Sequence, residues 1–159
     1  MRRANREIIS LEQLREILAE SIVCRVAFCQ DNRPYLVPLN FGYHMEENGA
    51  LTLYFHGANA GTKLELLKGN PQVAFEMERY AKIVPHQMAC HFSCQFQSIV
   101  GTGLASLLED FEEKKQALNL IMEHYTGQKE FSYPDQMVEN LAVIQIKVES
   151  YTGKQNPIP

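Results

Sequence analysis

The stretch from Pro34 to Leu67 constrains this chain most, because it sets two apolar strands directly before a glycine-bearing helix start. By strict alternation, the first strand carries a core face on Tyr35, Val37, Leu39, Phe41 and Tyr43. The apolar face of the second strand falls on Leu51, Leu53 and Phe55, which leaves His56 on the opposite side. The pattern predicts a hairpin with a turn at residues 46–49, followed at once by a helix.

The helix start at residues 59–63 is a candidate anion site. We expect Asn59 to cap the helix, so that the backbone N–H groups of the first turn stay unpaired. Lys63 then lies beside the positive end of the helix dipole, where a phosphate group fits. The same residues are also compatible with an ordinary capped helix that carries an exposed lysine.

Three further elements are predicted before and after this stretch. Ser10 and Gln13 form a capping box at the start of a short amphipathic helix. Residues 22–30 alternate as a strand that ends in a turn at residues 31–33. The helix after the anion site buries Leu64 and Leu67 and ends at residues 69–71.

The second half of the chain adds strands at residues 72–78, 88–106 and 142–148. In the long strand Met88, Cys90, Phe92, Cys94 and Phe96 share a face, and Gly101 with Gly103 predicts a bend or bulge. A helix is predicted from residue 109 to about residue 124, and a helical turn over residues 134–140.

About six strands with two to three short helices indicate an α+β chain that is mainly β. The strands do not alternate regularly with helices, which favours an antiparallel, Greek-key-like barrel over a parallel sheet. At 159 residues the chain is large enough for one core, so we expect a single domain over 1–159.

Charge and hydropathy exclude several classes of function. The net charge of −4 argues against a nucleic-acid partner, and the N-terminal arginines Arg2, Arg3 and Arg6 form either a solvated tail or a phosphate clamp. No early apolar run indicates a signal peptide or a membrane span. We therefore expect a cytoplasmic protein.

The four cysteines indicate neither disulfides nor a metal. On one predicted strand Cys90 and Cys94 are separated by about 13 Å of rise, too far for a bond or a shared ion. Alternation sends His91 away from both, which disfavours a metal site built with His86. We expect reduced thiols, and no residue pattern supports hydrolysis.

Several segments, taken together, resemble one family: residues 34–43, 54–63, 70–71, 98–105 and 152–154, which read PYLVPLNFGY, YFHGANAGTK, NP, SIVGTGLA and TGK. They resemble the split β-barrels that bind flavin mononucleotide (FMN) and are related to pyridoxamine 5′-phosphate oxidase. Within that family they resemble the branch containing nitroimidazole-resistance proteins. The resemblance spans nearly the whole chain. It implies a homodimer with two flavins at the interface.

The resemblance also implies the cofactor-binding residues. The FMN phosphate falls on Gly61, Thr62 and Lys63, and Thr62 stands where many members have a second basic residue. The backbone along the isoalloxazine and ribityl groups falls on Val37, Pro38, Leu39, Asn40 and Phe41. His56, Gly57 and Gln97 are further cofactor-binding candidates. Ser98 matches a position that contacts the ring from the second subunit, where relatives outside this branch often have glutamine.

His56 is the candidate catalytic residue. Histidine titrates near neutral pH, which suits proton delivery during flavin reduction. The same position is equally compatible with a hydrogen-bonded surface or interface histidine.

The function that the resemblance implies is an FMN-dependent oxidoreductase that uses NAD(P)H to reduce a small molecule, such as a nitroaromatic compound, or carries out pyridoxamine-phosphate-oxidase-like chemistry. Pyridoxamine 5′-phosphate oxidases carry an arginine and a histidine near the C-terminus. Here no arginine follows Arg79 and no histidine follows His124, which argues against vitamer oxidation. The alternatives are a non-catalytic flavin- or haem-binding carrier or sensor, and a ligand-free dimeric barrel.

Overall fold

The computed structural model describes residues 4–156, so Arg2 and Arg3 of the predicted N-terminal cluster lie outside the described residues. Twelve strands and helices follow in chain order: β1 (Glu7–Ile8), α1 (Leu11–Glu20), β2 (Cys24–Gln30), β3 (Arg33–Leu39), β4 (Gly42–Met45), β5 (Leu51–Ala58), α2 (Thr62–Gly69), β6 (Gln72–Val84), β7 (Ser93–Leu107), α3 (Phe111–Thr126), α4 (Asp135–Glu139) and β8 (Leu141–Asn156). Short 3-10 turns at Ala4–Arg6 and Ala89–His91 precede β1 and β7.

The strands of residues 4–156 form one eight-stranded antiparallel sheet in the order β3-β2-β6-β7-β8-β5-β4, with β1 added to β8. β3 and β4 occupy opposite ends of this order, yet only Asn40 and Phe41 separate them in the chain. Because each residue spans at most about 3.3–3.6 Å, the sheet must curl until its two edges come close. The result is a split β-barrel, which confirms the predicted fold class with eight strands instead of about six.

The split corrects the prediction of one continuous strand over residues 35–43. The strand breaks at Asn40–Phe41 because the backbone N–H of Phe41 donates to the hydroxyl of Tyr125 at 3.0 Å instead of to a neighbouring strand. β3 pairs with β2, whereas β4 pairs with β5. Phe41 is fully buried and Val37 and Leu39 pack against the core, but Tyr35 is exposed.

The long strand predicted over residues 88–106 is also corrected. Residues 89–91 form a 3-10 turn and β7 begins only at Ser93, so Met88, Cys90 and Phe92 do not continue the face of Cys94. Cys90 is exposed in that turn, and the strand-rise distance to Cys94 does not apply. The bulge predicted near Gly101 and Gly103 is confirmed by a register shift between Thr102 and Gly103.

Two hydrophobic clusters hold the fold. The barrel interior is filled by large, fully buried side chains, among them Phe28, Phe41, Phe55, Phe75, Met77 and Ile99. A smaller cluster lies outside the barrel, where α3 and α4 cover β5 and β8: Leu108, Ala117, Leu118, Ile121, Val138 and Val143. Full burial of one such side chain stabilises the fold by about 1.5–3 kcal/mol.

α3 packs unusually close to the barrel at Gly42. A Cβ atom placed on Gly42 would lie 2.5 Å from the backbone nitrogen of Ile121, so this position admits no side chain. The group that approaches the Gly42 backbone is therefore a helix of the same chain. None of the helices in the described part of the chain is long and apolar enough to cross a membrane.

Candidate functional site

The start of α2 differs from the predicted capped helix. Gly61, and not Asn59, is the residue before the first helical turn, and no side chain caps it. Its backbone angles, φ 131° and ψ 169°, lie in a region that is essentially restricted to glycine. Because this conformation turns the chain sharply, the helix begins at Thr62. The first-turn N–H groups are therefore not covered by a capping side chain.

Lys63 is held across the end of β5. A Cβ atom placed on Gly57 would lie 2.9 Å from the Nζ of Lys63 and 3.1 Å from its Cε, so the lysine lies directly against the Gly57 backbone. Lys63 is half-buried, and among the ion pairs of residues 4–156 it has none. By contrast, Lys68 on the same helix pairs with Glu65 at 3.1 Å. Lys63 is thus a positioned cation without a charged partner among the described residues.

Apolar and polar contacts fix the position of α2. Leu64 and Leu67 are buried in the barrel core, as predicted. At the other end of the helix, the side-chain amide of Asn70 donates to the carbonyl of Cys29 at 2.9 Å, and its oxygen accepts from the N–H of Gln72 at 3.0 Å. The first turn of α2 is therefore presented by a firmly anchored helix.

The structure places His56 on the other face of β5 from Lys63. His56 is exposed and pairs in register with Val143 of β8, while Gly57 shares the inner face with Phe55 by alternation. The prediction that His56 lies off the core face is confirmed. Within one chain, however, His56 and Lys63 are not brought together.

The segment over residues 37–41 is held by the end of α3. The Tyr125 hydroxyl accepts from the N–H of Phe41 and donates to the carbonyl of Ile22 at 2.7 Å. The amide of Asn40 also donates to the Ile22 carbonyl, at 3.4 Å. Pro38 and Asn40 are exposed. Residues 37–41 thus form an exposed edge, and its last residue, Phe41, is held by the hydrogen bond to Tyr125.

Gln97 and Ser98 lie on opposite faces of β7. Gln97 is buried, and its side-chain oxygen accepts from the Nε of Arg79 while its nitrogen donates to Gln155 at 3.0 Å. Arg79 also pairs with Glu16 at 3.1 Å and with Glu20 at 2.7 Å, which ties α1 to the sheet. The side chain of Gln97 is therefore committed within its own chain. Ser98 is half-buried on the outer face.

The outer face of the sheet is partly apolar. One register row crosses β3, β2, β6 and β7 and consists of Leu36, Ala27, Ala74 and Thr102. Leu36 is 60% exposed, and Val100 on the same side of β7 is 50% exposed. The row beside them carries the ion pair of Arg25 with Glu76 at 3.0 Å. The outer face thus carries exposed apolar side chains next to an ion pair.

The sequence predicts no metal site at His86, His91 and the nearby cysteines. The rings of His86 and His91 stack edge to face with their centroids 4.7 Å apart. Across residues 4–156, however, no group of three or more His, Cys, Asp or Glu side chains is arranged to hold a metal ion.

The fold is a split β-barrel in which the start of α2 is left open. Comparison with known proteins identifies the family. The family model described as pyridoxamine 5′-phosphate oxidase matches residues 10–155. Because that match covers nearly the whole chain, this chain belongs to the pyridoxamine 5′-phosphate oxidase family.

Solved structures with the same fold carry names that indicate flavin and haem binding. A candidate 5-nitroimidazole antibiotic resistance protein from Bacteroides thetaiotaomicron is 34% identical, with a TM-score of 0.80 over 94% of this chain and 86% of that one. The flavocytochrome Anf3 of Azotobacter vinelandii is 20% identical, with a TM-score of 0.82 over 100% of this chain and 73% of that one. An FAD- and haem-binding protein of Mycobacterium smegmatis is 16% identical, with a TM-score of 0.83 over 96% and 74%.

A relative found by sequence comparison carries no name that describes a function. An uncharacterized protein of Rhizobium meliloti is 23% identical over 96 residues, which is 60% of this chain. The aligned part spans 53% of that relative's length.

Proposed function

We propose that this protein is a cytoplasmic, homodimeric flavoprotein that binds FMN and uses electrons from NAD(P)H to reduce a small molecule. The observation that carries this proposal is the start of α2, where Lys63 is positioned and unpaired beside an uncapped first turn. Flavin binding is supported by the family match and by the names of the structural neighbours.

The residues at the start of α2 fit a phosphate group. The N–H groups of Thr62 and Lys63 belong to the unpaired first turn, and the helix dipole favours an anion there. A Cβ atom placed on Gly61 would meet nothing within 4 Å, so the approach is open. Lys63 Nζ supplies the opposite charge. These groups would hold the FMN phosphate.

The chemistry itself would come from the flavin, which transfers hydride or single electrons when bound. The chain's part is to bind and orient it. The 37–41 backbone would line the ring, with Phe41 held in place by Tyr125. At Gly57 the inner face of β5 has no side chain of its own, and the space there is bordered by the Nζ and Cε of Lys63.

Preference for FMN over riboflavin tests the phosphate assignment. We expect FMN to bind more tightly, measured by quenching of flavin fluorescence during titration. Lys63→Ala should weaken FMN binding by about 1–3 kcal/mol, the value of one charge-assisted hydrogen bond, and leave riboflavin binding unchanged. Lys68→Ala is the matched control, because Lys68 lies on the same helix but pairs with Glu65.

Two outcomes contradict the assignment. Equal affinity for FMN and riboflavin in the wild type would remove the phosphate from the start of α2. An equal loss of FMN affinity in Lys63→Ala and Lys68→Ala would show that a general change in charge, and not the position of Lys63, governs binding.

The homodimer is supported by the apolar outer face of the sheet. Leu36 and Val100 are exposed on one face of the sheet, and Ser98 lies on the same side of β7. Apolar side chains that share an exposed face mark protein–protein contacts. Analytical ultracentrifugation should give the mass of two chains. Leu36→Glu should shift the equilibrium toward one chain, whereas Leu11→Glu, at an exposed leucine in the first turn of α1, should not. A monomer that still binds FMN tightly would remove the role of Ser98.

His56 is the proposed proton donor. If it acts at a flavin, His56→Ala should slow reoxidation by an acceptor, or change its pH dependence, more than it weakens FMN binding. His44→Ala, at another exposed histidine on β4, is the control. Unchanged rates between about pH 5 and 8, where histidine titrates, would return His56 to a structural role.

One observation favours the second candidate function, a flavin- or haem-binding carrier without turnover. His56 is the only catalytic candidate of the sequence, and within one chain it lies on the opposite face of β5 from Lys63. Steady-state consumption of NADH and NADPH, with a 5-nitroimidazole as acceptor, separates the two. Turnover with either donor supports the oxidoreductase. Tight flavin binding without turnover on nitroimidazoles or simple quinones supports the carrier.

A further inference from the structure

A cavity between α1, β4 and α3 shares no lining residue with the proposed flavin site. Its volume is about 370 Å³, at the small end of the 300–1,000 Å³ typical of small-molecule sites. The lining combines apolar groups, such as Met45 and Leu120, with several polar side chains.

The cavity contains two opposite charges that do not neutralise each other. Arg15 contributes a guanidinium from α1, and Glu123 contributes a carboxylate from α3. Within residues 4–156 these two side chains form no ion pair, although both line the same space. Glu123 instead forms an ion pair with the exposed Lys129 at 3.7 Å, and such surface pairs are weak. A guanidinium and a carboxylate therefore line one cavity without pairing with each other.

Arg15 is held in a fixed orientation. Its two terminal nitrogens donate to the carbonyls of Met45 and Glu46, at 3.2 and 2.7 Å. These bonds fasten the guanidinium to the turn between β4 and β5. A guanidinium has five N–H donors, so further donors remain for a ligand.

Tyr43 lines the same cavity as Arg15 and Glu123. Burial raises the pKa of the Tyr43 hydroxyl, while Arg15 acts to lower it and Glu123 to raise it. That hydroxyl can either donate or accept a hydrogen bond.

His124 adds an acceptor of defined tautomer. Its Nε2 lies 2.8 Å from the carbonyl oxygen of Ser21, and since a carbonyl can only accept, Nε2 carries the proton. Burial lowers the pKa of His124, although the bond to Ser21 acts in the other direction, so the neutral ring is favoured near pH 7. In the neutral ring Nδ1 is then an acceptor.

We propose that this cavity binds a small zwitterion of the α-amino acid class, with its carboxylate toward Arg15 and its ammonium group toward Glu123. A simple carboxylate would satisfy Arg15 but would be repelled by Glu123, and a simple amine would meet the reverse problem. A zwitterion satisfies both. Tyr43 and neutral His124 supply further hydrogen-bonding groups.

Binding can be measured on the purified protein by saturation-transfer difference NMR with the twenty standard amino acids, followed by calorimetry of the strongest binder. We expect this amino acid to bind about tenfold or more tightly than the matching carboxylate without its amino group and the matching amine without its carboxylate. Affinity should be the same with and without saturating FMN, and in Lys63→Ala.

Glu123→Gln is the decisive variant and should weaken amino acid binding about tenfold or more. The matched control is Glu112→Gln, on the first turn of the same helix, where Glu112 approaches Lys115 at 3.9 Å. Tyr43→Phe keeps the ring and should weaken binding by a smaller factor. Arg15 is left in place because it fastens the turn after β4.

Four outcomes overturn the proposal. The first is the absence of saturable binding for all twenty amino acids up to about 10 mM, which is weaker than any selective site would give. The second is equal affinity for the simple carboxylate, which would leave an anion site only. The third is equal binding by Glu123→Gln and the wild type. The fourth is loss of binding in Lys63→Ala, which would assign the signal to α2.

Discussion

The starts of α2 and α3 are opposites. α3 is completed by its own chain: Asp110 accepts from the N–H of Glu113 at 2.9 Å, and Glu112 and Glu113 place negative charge in the first turn. α2 follows Gly61 without a capping side chain, and its first turn carries Lys63 as well as Glu65. The start of α3 is satisfied by its own side chain, whereas the start of α2 leaves its first N–H donors for a partner.

The difference shows where the chain has given up local stability. A capping side chain contributes about 1 kcal/mol, and an acid in the first turn adds about 0.3–1 kcal/mol. The start of α2 lacks the capping side chain, although Asn59 and Thr62 are residue types that cap helices well, and its first turn carries one acid, Glu65, where α3 has two. A site that binds an anion needs this incompleteness, because a cap would occupy the same donors.

The largest expected effect comes from reversing the charge at the start of α2. Lys63→Glu should weaken FMN binding by about 3 kcal/mol or more, because it removes a charge-assisted bond and adds repulsion. The flavin-free protein should instead become slightly more stable, by about 0.3–1 kcal/mol, because an acid suits a helix start. Fluorescence titration and urea denaturation measure the two quantities. Parallel losses of binding and stability would contradict the comparison.

The second effect concerns the glycine that starts α2. Gly61→Ala should lower the free energy of unfolding by about 1–3 kcal/mol, because a side chain is strained at φ 131° and ψ 169°. Gly127→Ala, at the left-handed end of α3 with φ 73°, should lower it by about 1 kcal/mol. Urea denaturation of the flavin-free protein compares the two. A neutral Gly61→Ala would show that the turn relaxes without glycine.

The third effect is on the self-capped helix. Asp110→Ala should lower the free energy of unfolding by about 1 kcal/mol and leave FMN affinity unchanged. Ser10→Ala is the parallel case, since the Ser10 hydroxyl accepts from the N–H of Gln13 at 3.4 Å. Thermal denaturation and flavin titration check both halves. If Asp110→Ala weakened FMN binding as much as Lys63→Ala, the two starts would not be independent.

The smallest effect is a pH dependence at the other end of α3. Burial lowers the pKa of His124 in the folded state below its ordinary value near 6.5. At a pH between the folded-state pKa and 6.5, the unfolded chain therefore binds more protons than the folded chain. Stability is therefore complete above about pH 6.5 and falls as the pH drops through the lower, folded-state value. His124→Gln should flatten this part of the profile, whereas His44→Gln should not. Melting temperatures between about pH 8 and 5 measure the difference.

Local patterns predicted those elements whose causes are local. The turn at residues 31–33 was correct because Asp31 and Asn32 adopt positive φ, which these residue types tolerate. The end of α2 at residues 69–71 and the turn of α4 followed from glycine and proline signals. The inward faces of β5 and of Ile144 and Ile146 in β8 followed from alternation.

The parts that sequence reasoning missed depend on distant partners. The break at residues 40–41 needs the Tyr125 hydroxyl, 84 residues away in the chain. Gln97 points inward because its side chain hydrogen-bonds there to Arg79 and Gln155, which lie 18 and 58 residues away in the chain. The alternation of Gln95 and Gln97 with Ile99 was the available signal, but polar residues on a buried face are normally taken as exposed. Asn59 does not cap α2 because Gly61, with φ 131° and ψ 169°, is the residue before the helix. Residue types alone do not reveal this backbone conformation.

The position of β8 in the sheet has a consequence for how the chain acquires its fold. β8 is made of residues 141–156, yet it pairs with β1, β5 and β7 and joins the two halves of the barrel. During synthesis β5 and β7 therefore emerge well before their shared neighbour, with their edges open. Open edges can pair with other chains, so the nascent protein is exposed to aggregation until its last strand leaves the ribosome. Truncation before Leu141 should yield insoluble protein, whatever the stability of the parts that remain.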